Sequence, residues 1–435
     1  MTSNALERMS MTQAARAIAT GACTSEALVR ACLARIEERE PMVRAWSALD
    51  ADGAIAQARA LDSGPRRGLL HGVPIGVKDV ISTFDFPTQM GSPIYEGFRS
   101  RGEASCVAMA RNAGAVILGK TVTCEFAGVA PGPTCNPLDF SRTPGGSSSG
   151  SAAAVADFMT HLGFATQTGG SILRPASFCG VVGYKPTYGT VNREGLKFAA
   201  ESLDTIGVIV RAVEDAALAH AVLTGRSELK LERCSHPPRI GLCKTYLWDA
   251  KASQETKDCV ERAGEAARLA GASVVSFHLP ARFSRLTQAR ETINDVERAR
   301  ALAWEWSHRK DLLSPALCDT IDKGLATPEH IYRDALKFAE SARKELDELI
   351  ADFDCLIAPC VNGEAPVGLH YAGDPSLQGL WTLLRVPSMT IPAGRGPNRM
   401  PVGLQIFAPR GADARLFALA AWLQGSAGLI MEPAT

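Results

Sequence analysis

The sequence predicts an α/β fold, and three observations carry the prediction. Apolar runs of strand length alternate with helical segments: strand 69–80, helix 103–113, then strand 115–120. The same alternation returns at 239–277 and from residue 354 onward. Between them, two loops dense in glycine and serine flank about twenty residues that read as one short helix and one strand. The chain of 435 residues is long enough for two or three average domains, and one large α/β domain also fits.

Taken in order, residues 10–20 read as a first helix ended by Gly21. Thr24 caps the next, whose apolar side carries Leu28, Val29, Cys32, Leu33 and Ile36, and Pro41 is expected to stop it. Residues 51–62 are Ala-rich and helical. The run 69–80 is a buried strand with Lys78 at its end. Residues 128–146, rich in Gly, Pro, Asn and Thr, form an ordered loop into the first Gly/Ser motif. Ser151 to Met159 is a helix of small residues, and 162–166 is the strand that delivers Thr168-Gly169-Gly170-Ser171. A strand at 206–210, a helix at 214–223 and a polar surface excursion at 225–238 follow. Strands 239–243 and 273–277 enclose a helix at 253–270, and 286–350 is almost entirely helical. That block reads as a cover carrying specificity contacts, with the loop 380–387 also shaping the pocket. Strands at 354–359, 388–392 and 402–407 and a helix at 412–424 close the chain.

Composition narrows the function classes. The formal net charge is zero, with no basic run, which argues against nucleic acid as a partner. No apolar run reaches the ~18 residues needed to cross a bilayer. Met1 to Ser10 lacks an apolar signal core, so a cytoplasmic protein without membrane contact is expected. The twelve cysteines contain no C-x-x-C pair, and the eight histidines no H-E-x-x-H. No metal site and no cofactor are expected; both phosphate-binding glycine motifs are missing.

The chemistry concentrates in Gly145-Gly146-Ser147-Ser148-Ser149-Gly150-Ser151 and Thr168-Gly169-Gly170-Ser171. A serine hydroxyl is a weak nucleophile until a base takes its proton. No histidine lies near either motif, although folding could bring one in. A lysine with a lowered pKa is the alternative base, and Lys78 is the best candidate. On its own stretch, the simpler reading of Lys78 is a salt bridge to Asp79 or a solvent-facing strand tip. The consecutive N–H groups of 168–171 can form an oxyanion hole, or cradle a phosphate. Taken singly, the Gly/Ser run is a flexible loop, Ser171 a helix cap and Arg174 a salt-bridge residue. At this spacing those readings give way to one site.

Together these residues resemble the amidase signature family of serine hydrolases. The resemblance rests on Gly72-Val73-Pro74 with Lys78, on the two motifs above, on Lys185-Pro186-Thr187 with Gly189, and on Pro401-Val402-Gly403-Leu404-Gln405. It implies a single large domain over 1–435, with a central mixed β-sheet covered by helices on both faces. The signature core would span about 60–212 and 354–430, with a mainly helical excursion at about 286–350. It also implies a Ser-Ser-Lys triad and a covalent acyl-enzyme. Ser171 would be the nucleophile, Ser147 a bridging serine after a cis peptide, and Lys78 the base acting through Ser147. The backbone N–H groups of Thr168, Gly169, Gly170 and Ser171 would form the oxyanion hole.

Most family members carry an arginine two residues after the nucleophile; here Leu173 stands there and Arg174 comes third. This Ser-x-x-Arg-Pro-Ala form resembles malonamidase, which implies a substrate carboxylate held by Arg174. The rival is a structural Arg174 paired with an internal carboxylate. The leading expectation is hydrolysis of a small-molecule amide. Alternatives are a hydrolase of urea-like compounds of the carboxybiuret type, the amidase subunit of a tRNA-dependent amidotransferase, and a catalytically silent scaffold. Oligomeric state stays open, a homodimer included.

Overall fold

Eleven strands of the chain join into one mixed sheet in the computed structural model, which describes residues 6–226, 234, 236–425 and 428. They are β1 (Trp46–Leu49), β2 (Pro74–Lys78), β3 (Val116–Thr121), β4 (Leu162–Gln167), β5 (Val182–Lys185), β6 (Thr205–Val210), β7 (Arg239–Cys243), β8 (Ser273–Phe277), β9 (Cys355–Pro359), β10 (Ser388–Arg395) and β11 (Pro401–Phe407). The spatial order is β1-β3-β2-β4-β6-β5-β10-β11-β9-β7-β8. β2 lies parallel to both β3 and β4, and β7 parallel to both β8 and β9. The six other pairings, β4 with β6 and β10 with β11 among them, are antiparallel. The result is a single α/β domain.

Strands covered on both faces read as unbroken apolar runs rather than alternating ones. Ile206-Gly207-Val208-Ile209-Val210 of β6 is such a run, and every residue of β2, β3, β4 and β6 is buried. The edge strand β8 differs, exposing Ser273, Val275 and Ser276. The helix Ser149–Ala156, all small residues, packs close on β4 and β2. The helix Gln254–Leu269 covers β9 and β11, and Val213–Leu223 packs on β6 and on the last helix, Asp413–Gly425.

Ser10 caps the first helix, Met11–Ala19, through a reciprocal box with Gln13. Thr24 caps Ser25–Val43 by accepting the Ala27 N–H. Pro41 does not stop that helix, contrary to the sequence expectation. The proline lies in the last turn, so a single hydrogen bond is lost. The end is tied down instead by Arg44, whose left-handed backbone (φ 54°) caps it, and by the Glu40 carboxylate, which accepts the Ala45 and Trp46 N–H groups.

Elements not expected from sequence include β1, β5, the helix Leu173–Cys179, and the helix Ser376–Leu383 in place of the start of the loop 380–387. Each is short, and all but β1 are largely buried, so they carry little amphipathic period to read. In the excursion at 225–238, residues 227–233 and 235 lie outside the described residues, as do 1–5 of the N-terminal segment. The block 286–350 folds as the helices Leu286–Ala301, Ala303–His308, Pro315–Ala326 and Glu329–Leu349. Leu286 and Ile293 join Trp381 and Phe407 in one apolar cluster, where the Trp381 and Phe407 ring centroids lie 3.8 Å apart. This seam fastens the helical block to the sheet. Among the described residues no helix is long and apolar enough to cross a membrane.

Candidate active site

β2 and β4 lie side by side in parallel register, so Lys78 and the residues after Phe164 emerge at the same end of the sheet. Lys78 is fully buried. Its Nζ donates to Ser147 Oγ at 2.8 Å and to Thr166 Oγ1 at 2.8 Å. It neither reaches solvent nor pairs with Asp79, whose carboxylate instead meets Lys120 at 3.2 Å. Burial above all holds the Lys78 pKa down to about 7, with Cys124 and Asp204 opposing and the Arg174 and Arg298 charges assisting. An amine with its pKa lowered this far can accept a proton near neutral pH.

Ser147 follows a cis peptide bond to Gly146 and is fully buried. Gly145 takes φ 78°, and a side chain there would collide with Phe178 and Pro175, so the turn needs glycine. The Ser148 N–H donates to the Ser171 carbonyl at 3.4 Å, which ties the two Gly/Ser loops together.

The second loop is clamped at both ends. Thr168 Oγ1 donates to Asp204 at 2.5 Å, and the same carboxylate accepts the Ala199 and Ala200 N–H groups. Gln167 Oε1 accepts the N–H groups of Ile172 and Leu173, while its Nε2 donates to Thr382. Thr382 Oγ1 in turn donates to the Gly169 carbonyl at 2.7 Å. With its carbonyls and flanks fixed, the turn keeps the N–H groups of Thr168, Gly169, Gly170 and Ser171 without partners among the described residues. Ser171 Oγ likewise has no hydrogen-bond partner among them.

Gly169, Gly170, Ser171 and Arg174 line a cavity of about 430 Å³. Its other wall is Arg290, Asn294, Asp295 and Arg298 from the helix Leu286–Ala301, with Leu317, Thr320 and Lys323 from Pro315–Ala326. Arg174 opens the helix Leu173–Cys179 and is 5% exposed. Its Nη2 donates to the Gly146 carbonyl at 2.6 Å, while Nε and Nη1 have no partner. No carboxylate lies within 4.0 Å of it among the described residues, and burial lowers its pKa.

All seven residues singled out in the sequence therefore gather around one cavity or directly beneath it. Sequence reasoning missed Thr166, Gln167, Asp204, Thr382, Arg290 and Arg298. The signal for the first two was a polar triplet, Thr166-Gln167-Thr168, closing an otherwise apolar strand. Arg290 and Arg298 lie on a helix of mixed charge, which gave no sign of which cation turns inward. Asp204 and Thr382 had no local signal. Among the described residues no group of three or more His, Cys, Asp or Glu side chains is placed to hold a metal.

A buried lysine beneath two serine loops, at one end of a single α/β sheet, belongs to the class of amide hydrolases. The chain belongs to the amidase signature family: residues 27–417 match the family model described as Amidase. It is an enzyme hydrolysing amide C–N bonds, and a Ser-Ser-Lys triad is characteristic of its family. It is 34% identical over 478 aligned positions to the A component of the glutamyl-tRNA(Gln) amidotransferase of Oleidesulfovibrio alaskensis, covering 96% of this chain and 97% of that one. Peptide amidase from Stenotrophomonas maltophilia superposes with a TM-score of 0.83 at 28% identity, covering 98% of each chain. A chain of the inhibitor-bound vestigial protein complex bearing on the origins of an s-triazine catabolic enzyme gives 0.89 at 26% identity, covering 96% and 98%.

Proposed function

We propose that this amidase cleaves a small amide bearing a free carboxylate, using Ser171 as nucleophile, Ser147 as bridge and Lys78 as base. Neutral Lys78 takes the Ser147 hydroxyl proton as Ser147 takes that of Ser171. Ser171 Oγ then bonds to the amide carbon, and the carbonyl π pair moves onto oxygen. The unpartnered N–H groups of 168–171 receive that oxyanion; each such donor is worth about 3 kcal/mol in the transition state. Collapse expels the amine, protonated from Lys78 ammonium back through Ser147. Water then attacks the acyl-enzyme by the same relay in reverse. The relay needs the Ser147 and Ser171 hydroxyls within hydrogen-bond reach, a contact that commonly tightens only when substrate is bound.

The observation carrying the substrate class is Arg174. A buried guanidinium with two donating nitrogens idle and no carboxylate partner is costly unless a ligand completes it. A substrate carboxylate can accept from a free nitrogen of that guanidinium. The helical block 286–350 supplies the opposite wall and so the remaining specificity. The experiment is ammonia release from malonamate and similar acids against neutral amides of equal size, with wild type beside Arg174→Ala. Preference for acids in wild type, lost in the variant, is expected. Equal or better cleavage of neutral amides by wild type overturns the reading.

One observation favours a second reading, the amidase component of a tRNA-dependent amidotransferase: the 34% identity to such a component over nearly the whole chain. It requires ammonia release from glutamine only when partner proteins are added. A carboxybiuret-type substrate is the acid-bearing variant in which a urea-like amide replaces the alkyl amide.

A further inference from the structure

We propose that the cavity takes a dianionic amide, with Arg290 providing a second carboxylate site beside the Gly169–Ser171 turn. This rests on the reading of Arg174 as a carboxylate ligand and extends it. Arg290 lies on the helix Leu286–Ala301, is 9% exposed, and lines the same cavity as Ser171 and Arg174. Its guanidinium nitrogen Nη1 sits 3.7 Å from the point where a Gly169 side chain would begin. That places the charge against the turn whose N–H groups are free. The stem of Arg290 runs over Gly379, where any Cβ would come within 2.7 Å of Arg290 Cδ. A glycine on the helix Ser376–Leu383 thus leaves room for the arginine to reach the cavity.

The charge is poorly met inside the protein. Among the described residues its one polar partner is Glu291, at 3.4 Å, and that carboxylate is 56% exposed. Of the other groups on this wall, Arg298 is committed to the Phe126 carbonyl and Asp295 accepts from Asn294. Arg174, Arg290 and Arg298 are three buried guanidiniums in one small cavity, and Arg290 is one of the charges that lower the Arg174 pKa. A single carboxylate relieves Arg174; a second on the same substrate relieves Arg290. A neutral or singly charged amide would leave Arg290 desolvated and unmatched when water is displaced.

The test compares kcat/KM for butyramide, succinamate and two dianions, 3-carboxysuccinamate and N-succinylglycine, the last read by released glycine. Wild type is expected to prefer at least one dianion over succinamate by tenfold or more. Arg290→Gln should cut that preference about 10- to 100-fold, the worth of one charge-assisted contact. It should leave the succinamate-to-butyramide ratio in place, and Arg290→Lys should restore part of the lost preference. Ratios taken within each variant are independent of how much of it folds. Succinamate matching both dianions in wild type overturns the proposal, as does an equal fall for dianions and succinamate in Arg290→Gln. A wild type that favours butyramide over succinamate overturns the Arg174 reading as well, so the two failures are told apart.

Discussion

Lys78 and Lys120 lie at the same end of neighbouring parallel strands, β2 and β3, and both are fully buried. Their surroundings differ in one respect. Lys120 meets the Asp79 carboxylate at 3.2 Å, with Thr88 Oγ1 at 2.7 Å and the Ile81 carbonyl at 2.9 Å. Lys78 meets two hydroxyls and no carboxylate. Burial pulls both pKa values down, to about 8 for Lys120, where Asp79 opposes it, and to about 7 for Lys78. One carboxylate thus separates a structural ammonium from an amine free to take a proton. Burial lowers the pKa of both lysines; a carboxylate in contact opposes that at Lys120 and none does at Lys78.

The largest expected effect breaks the Lys78 side. Lys78→Ala should lower kcat by about 10²- to 10⁴-fold, the span of a lost general base, with the chain still folded. Ammonia release together with a thermal melt measures this. A variant with near-wild-type turnover removes the lysine from the chemistry.

Lys120→Met should act on stability instead. It leaves Asp79 buried without its partner, at a cost of about 3 to 5 kcal/mol, read by denaturant unfolding. Turnover per folded molecule should change far less than in Lys78→Ala. If both variants lose turnover alike, the contrast between the two lysines collapses.

The pH profile sharpens the contrast. With neutral Lys78 as the proposed base, kcat/KM should rise with pH up to about 7 and then level off. A flat acid side argues against a lysine base. Thr166→Val gives the smallest effect. Thr166 accepts a hydrogen bond that favours the ammonium, so its loss should move the acid limb to lower pH by less than one unit, about 1 kcal/mol.

The two Gly/Ser loops were more legible than the wall facing them. Gly145 to Ser151 and Thr168 to Ser171 are local: their glycine density and spacing are written in consecutive residues. Lys78 was legible as an anomaly, a charge closing an apolar strand. Arg290 and Arg298 were harder, since a helix of mixed charge gives no sign of which cation turns inward until its packing is known. Asp204 and Thr382, which clamp the turn from 36 and 213 residues away, left no mark in the sequence. Pro41 was misread because a proline so near a helix end costs one hydrogen bond, which the Glu40 carboxylate outweighs.

By itself the sequence determined the α/β alternation and both Gly/Ser loops, because strand burial and glycine turns depend on composition within a few neighbouring residues. Motif resemblance added the assignment of Lys78, Ser147 and Ser171 to one site. Only the tertiary structure decided that Lys78 lacks a carboxylate while Lys120 has one, and that Arg174 has none within 4.0 Å among the described residues. It alone set Arg290 against the Gly169 turn. Those are statements about distance between remote segments, and electrostatic energy follows distance and burial rather than order along the chain.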